Sequence, residues 1–66
     1  MVGKVTEISA TSSVGFEDAI KKGLARAHKT IRNIKSAWVK EQTVRVDKGA
    51  ITEYQVNMLV TFVLDD

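Results

Sequence analysis

The run Ile51-Thr52-Glu53-Tyr54-Gln55-Val56-Asn57-Met58-Leu59-Val60-Thr61-Phe62-Val63-Leu64 decides how this chain folds. Tyr54, Val56, Met58, Val60, Phe62 and Leu64 alternate with Gln55, Asn57, Leu59, Thr61 and Val63. That is the period of two with which a pleated strand sends successive side chains to opposite faces. The first set forms a core face, which needs an apolar layer to lie on it. Immediately upstream, Asp47-Lys48-Gly49-Ala50 is a turn sequence with a Gly free to adopt positive φ, and before it Ala37 to Val46 is again rich in Val and Thr. The two segments read as a β-hairpin.

The middle strand changes parity. Ala37 and Val39 share one parity and Val44 and Val46 the other, so a β-bulge is expected near Glu41 to Thr43 to keep all four on the core face. With that bulge, Ser36, Trp38 and Lys40, then Thr43 and Arg45, point away from the core, and Gln55, Asn57 and Leu59 share their side.

The layer that covers the core face is a helix. Phe16, Ala19, Ile20, Gly23, Leu24, Ala27, Ile31 and Ile34 recur at spacings of three and four, with Glu17, Lys21, Lys22, Arg26, Lys29 and Arg32 on the other side. Thr11-Ser12-Ser13-Val14-Gly15 supplies turn and capping residues, so a start near Gly15 or Phe16 is expected. Glu17 and Asp18 suit the positive end of the helix dipole, and the basic residues toward Lys35 suit the negative end. Gly23 and the alanines let the helix approach a sheet closely. Ahead of it, Val2 to Ala10 mixes Val2, Val5 and Ile8 with polar residues and reads as an edge-like first strand. The expected fold is α+β: one domain over residues 1–66, in β-α-β-β order, a three-stranded antiparallel sheet with a single helix on one face.

The chain has 66 residues, no Cys and a single His, His28. A domain this small buries only about 60% of its unfolded surface and usually recruits disulfides, a metal or further copies. Without thiols, self-association is the expected route, and it accounts for a sheet face that carries Trp38, Arg45, Gln55, Asn57 and Leu59 with no second helix to cover them. The net charge of +2 comes from ten basic and eight acidic residues interleaved, with four aromatics. That pattern does not make a nucleic-acid surface. No run approaches the ~20 apolar residues of a membrane span, and Met1-Val2-Gly3-Lys4 lacks the apolar core of a signal peptide. A cytoplasmic protein without membrane or nucleic-acid partners is expected.

Catalysis is not expected either. There is no Cys nucleophile and no Gly-rich phosphate loop, His28 sits among Lys and Arg on the polar helix side, and nothing draws Glu7, Glu41 and Glu53 to one pocket. Glu41, Asp47, Asp65 and Asp66 are oxygen donors that could serve in symmetric clusters, but they lack the spacing of a binding loop, and carboxylates at a strand end and at the C-terminus are usually just solvated.

The β-α-β-β order, the Thr11-Ser12 pair before the helix, and the hairpin from Trp38-Val39-Lys40-Glu41-Gln42 through Tyr54-Gln55-Val56 to Val60-Thr61-Phe62-Val63-Leu64 together resemble the dodecins, over nearly the whole chain. The resemblance implies a hollow homododecamer with outward-facing helices and non-catalytic flavin sites (FMN, riboflavin or FAD) at subunit interfaces. It implies that Gln55 is the amide that hydrogen-bonds the flavin ring and that Arg45 lies near a flavin phosphate. An ungapped match places the family's stacking Trp on Ser36. Trp38 stands two residues further on, on the same face of the strand, and is the aromatic available to stack. The alternative is a shell of the same kind that holds another ligand or a cation such as calcium, or is purely structural, with Trp38 filling an interface.

Overall fold

A computed structural model describes residues 2–64. The decisive run forms the central strand. In chain order the elements are β1 (Gly3–Ser12), α1 (Phe16–His28), β2 (Ile34–Asp47) and β3 (Ala50–Val63). The sheet order is β1-β3-β2, with both pairings antiparallel, as the hairpin and the edge-like first strand require. The turn has Lys48 at φ 52° and Gly49 at φ 80°, two consecutive left-handed residues of the kind that matches the right-handed twist of the flanking strands.

The core face of β3 is the predicted one. Val56, Met58 and Val60 are fully buried, and Ala19 of α1 sits against Val56 and Met58. Ile8 and Ala10 of β1, Phe16 and Ile20 of α1, and Ala37 and Val39 of β2 complete the layer. Phe16 meets Tyr54 edge to face at 5.1 Å, closing the core at the helix N-terminus. Gly23 sets the depth of the helix: a Cβ there would fall 2.9 Å from the Ala10 Cβ and 3.0 Å from the Met58 Cε.

The helix entrance is organised by a buried serine. Ser12 Oγ donates to Asp18 Oδ2 at 2.6 Å and accepts the Val14 N–H at 2.9 Å. The Ser12 hydroxyl, followed by Lys22 at 3.0 Å, holds the Asp18 carboxyl below its ordinary value of 3.8. Ser12 is thus both the last residue of β1, opposite Tyr54, and the brace of the turn. For that reason β1 runs two residues beyond the expected end at Ala10.

The helix is shorter than its apolar stripe. It stops at His28, the Thr30 and Ile31 amides both fold back to the Ala27 carbonyl, and Asn33 turns the chain at φ 62°. Thr30, Ile31 and Ile34 are β-branched and Asn33 tolerates the left-handed region, so the local chemistry opposes further helix even where spacing permits it. Ile34 instead opens β2 opposite Phe62.

Three irregularities set the hairpin register. The expected bulge lies one residue upstream of its predicted span: Lys40 is the extra residue between the Val39–Met58 and Glu41–Asn57 pairs. Lys35 is a second extra residue on β2, and Thr52 is one on β3, its hydroxyl donating to the Arg45 carbonyl at 3.3 Å. Because Phe16 of α1 meets Tyr54 and β1 ends opposite that same residue, the part of the hairpin beyond the Val44–Tyr54 pair, residues 45–53, projects past the helix. The molecule measures 52 × 19 × 13 Å accordingly.

Candidate functional site

Register and pleat together define the sheet face that α1 does not touch. Along β3 it shows Thr61, Leu59, Asn57, Gln55 and Glu53, with Val5, Glu7, Ser9 and Thr11 beside the first four on β1. On β2 the neighbours are Ser36, Trp38, Glu41, Thr43 and Arg45. All four predicted site residues, Ser36, Trp38, Gln55 and Arg45, lie on this one face.

They are not drawn together within one chain. Trp38 stands opposite Leu59, and Gln55 is four positions further along β3, about 13 Å away. Ser36 neighbours Trp38 at the opposite end from Gln55, across from Thr61, and Arg45 lies beyond Gln55 at the level of Glu53. Trp38 is 64% exposed, so its ring stands on the face as an uncovered aromatic surface.

A polar chain fills the centre. The Gln55 amide nitrogen donates to Ser9 Oγ at 3.2 Å and to Asn57 Oδ1 at 3.4 Å, and the Asn57 amide donates to Glu41 Oε1 at 3.4 Å. With its nitrogen engaged by Ser9 and Asn57, the Gln55 side chain keeps its carbonyl oxygen as an acceptor for a further hydrogen bond. Lys40 reaches Glu7 at 3.7 Å across the sheet, and Arg45 Nε pairs with Glu53 at 3.1 Å. Glu7, Glu41 and Glu53, weighed together in the sequence, thus each hold a different partner: Lys40, Asn57 and Arg45. Asp47 ends β2 at the turn, and Asp65 and Asp66 lie outside the described residues. Among the described residues no three metal-ligating side chains converge.

Ser9, Glu7 and Glu41 were not singled out in the sequence as parts of this face. Glu7 and Ser9 have the right parity, but β1 alternates too poorly to reveal it without the pairing to β3.

The likeness to known proteins is uniform. The family model described as Dodecin matches residues 2–65. The chain belongs to the dodecin family. A dodecin of Thermus thermophilus is 40% identical over 65 residues, covering 98% of this chain and 94% of that protein. The crystal structure of Streptomyces davaonensis dodecin superposes with a TM-score of 0.93 at 37% identity, covering 98% of this chain and 96% of that one. A Mycobacterium tuberculosis structure, described as a calcium dodecin with a novel calcium-binding site, superposes at 0.83 with 33% identity over 98% of this chain and 93% of that one. The β-α-β-β dodecin arrangement is thus shared in full. Among the described residues of this dodecin no helix is long and apolar enough to cross a membrane.

Proposed function

We propose that this dodecin binds flavin without catalysis, storing or sequestering it between the open faces of neighbouring copies in a twelve-subunit shell. The observation that carries the reading is Trp38, an aromatic plane 64% exposed on a face that nothing in its own chain covers. Stacking of an isoalloxazine ring would bury it. Ser36, small and two residues away on the same face, leaves room beside the indole. Gln55, its amide nitrogen tied to Ser9 and Asn57, presents the acceptor that suits the N–H of the flavin's pyrimidine edge. The Arg45 guanidinium N–H groups not held by Glu53 suit a flavin phosphate.

The 13 Å between Trp38 and Gln55 favours a site built by two copies. If two open faces meet antiparallel about a twofold near Asn57, the Leu59 level of each, which carries Trp38, lies over the Gln55 level of the other. Fluorescence titration of FMN and riboflavin tests the reading. Quenching that saturates, and that Trp38→Ala abolishes at unchanged assembly mass, supports it; wild-type protein that leaves both flavins unquenched overturns it.

A second reading is favoured by Ser36, which is not aromatic at the position where the resemblance places the stacking Trp. In it the shell holds another ligand or a cation, as the name of the M. tuberculosis relative describes for that protein. Unquenched flavin together with a calcium-dependent rise in melting temperature distinguishes it.

A further inference from the structure

We propose that Glu41 is a positioning residue for the open-face site: acting through Asn57, its carboxylate fixes which way round the Gln55 amide lies, and so makes the site selective for a planar ring with an N–H at its edge. The inference rests on the flavin reading above and narrows recognition to the imide N–H of the ring, at N3. The contacts that carry it run in one direction. The Asn57 amide donates to Glu41 Oε1 at 3.4 Å, Asn57 Oδ1 accepts from the Gln55 amide nitrogen at 3.4 Å, and that nitrogen also donates to Ser9 Oγ at 3.2 Å.

One member of this chain of contacts dictates its direction. A hydroxyl donates or accepts, and an amide exchanges its donor and acceptor ends by a half turn, so Ser9, Gln55 and Asn57 would fit one another equally well the other way round. An ionised carboxylate only accepts. Glu41 therefore obliges Asn57 to turn its nitrogen toward β2 and its oxygen toward Gln55, which commits the Gln55 nitrogen and leaves the Gln55 oxygen for a ligand. The strand register supplies the carboxylate. Lys40 is the extra residue between the Val39–Met58 and Glu41–Asn57 pairs, and an unbulged strand would set Lys40 opposite Asn57 instead. An ammonium group only donates, and would favour the reverse order, with the Gln55 nitrogen facing the ligand. In an uncovered chain water competes with these bonds. Beneath a bound ring and a second face each bond strengthens, and an amide turned the wrong way leaves a buried group unpaired.

Riboflavin and 3-methylriboflavin, which carries a methyl group in place of the N3 hydrogen, test this by fluorescence-quenching titration. The wild type should bind riboflavin at least about tenfold more tightly, because the methylated edge leaves the Gln55 oxygen unpaired. Glu41→Gln keeps the shape but can donate as well as accept, so both orientations become open and the preference should fall to about threefold or less. The double variant Glu41→Gln/Asn57→Asp should regain it. There the carboxylate stands one step nearer and accepts from the Gln55 nitrogen directly, at the same net charge as the wild type. A Glu41→Gln variant that discriminates as the wild type does overturns the positioning role, and so does a double variant that fails to regain the preference. Wild-type protein that binds both flavins equally overturns selection by the N–H while flavin binding stands. Wild-type protein that quenches neither overturns the flavin reading and the inference with it.

Discussion

Gly23 of the helix lies so close to Ala10 of the first strand that a Cβ on Gly23 would fall 2.9 Å from the Ala10 Cβ. Neither group can rotate away, because both are fixed to backbone. Helix propensity alone favours Ala over Gly by about 1 kcal/mol. Overpacking a tight contact costs about 1–3 kcal/mol. Gly23→Ala is therefore expected to destabilise, lowering the melting temperature by several degrees at fixed protein concentration, measured by circular dichroism. A rise would mean that the helix can lift without loss.

Lys48 is the left-handed residue with a Cβ in the hairpin turn, at φ 52°, followed by Gly49 at φ 80°. L-residues other than Gly, Asn and Asp pay about 1–2 kcal/mol in that region, and Asn-Gly is the preferred pair for this turn. Lys48→Asn should stabilise by about 0.5–1 kcal/mol, and Gly49→Ala should destabilise. Chemical denaturation of both variants checks the opposite signs.

Asp18 has its pKa lowered below 3.8, first by the Ser12 hydroxyl and then by Lys22. A carboxyl whose folded value lies below its unfolded one contributes stability that is full above the unfolded value and is lost as pH falls through the folded value. The wild type should lose this contribution below about pH 4. Asp18→Asn should show a shallower fall in melting temperature between about pH 5 and 2. Parallel curves for the two proteins would exclude Asp18 from the acid limb.

Trp38 and Gln55 divide the proposed flavin contact into stacking and hydrogen bonding. Stacking is worth about 0.5–1.5 kcal/mol beyond area burial, so Trp38→Ala should weaken FMN by tenfold or more and relieve quenching. Gln55→Leu removes one acceptor, worth about 1 kcal/mol, so a roughly fivefold weaker affinity with quenching retained is expected. Ser36→Trp, adding a second plane on the same face, should tighten binding. Fluorescence titration at matched assembly mass reads all three.

Much of this fold is written locally. The alternation of Val56, Met58 and Val60 allows one face only to be buried, and the burial of all three follows. The helix boundary was less legible, because Ile31 and Ile34 continue a spacing of three and four that helix and strand entry share over so short a stretch. Asn33 and the β-branched neighbours decide it. The site was legible as a list of residues on one face, since parity assigns Trp38, Gln55 and Arg45 to it. Its neighbours Glu7 and Ser9 come from a strand distant in sequence, and only pairing with β3 sets them beside Leu59 and Asn57.

By itself, then, the sequence determined the element order, the buried face of the hairpin and the existence of a second, uncovered face, because these depend on period and turn chemistry along a continuous segment. Tertiary structure decided the depth of the helix at Gly23, the bulge at Lys40, the hydrogen-bonded chain from Ser9 through Gln55 and Asn57 to Glu41, and the overhang of the hairpin. Each of these joins residues far apart in the chain, and their contact is set by register and packing, which no local period encodes.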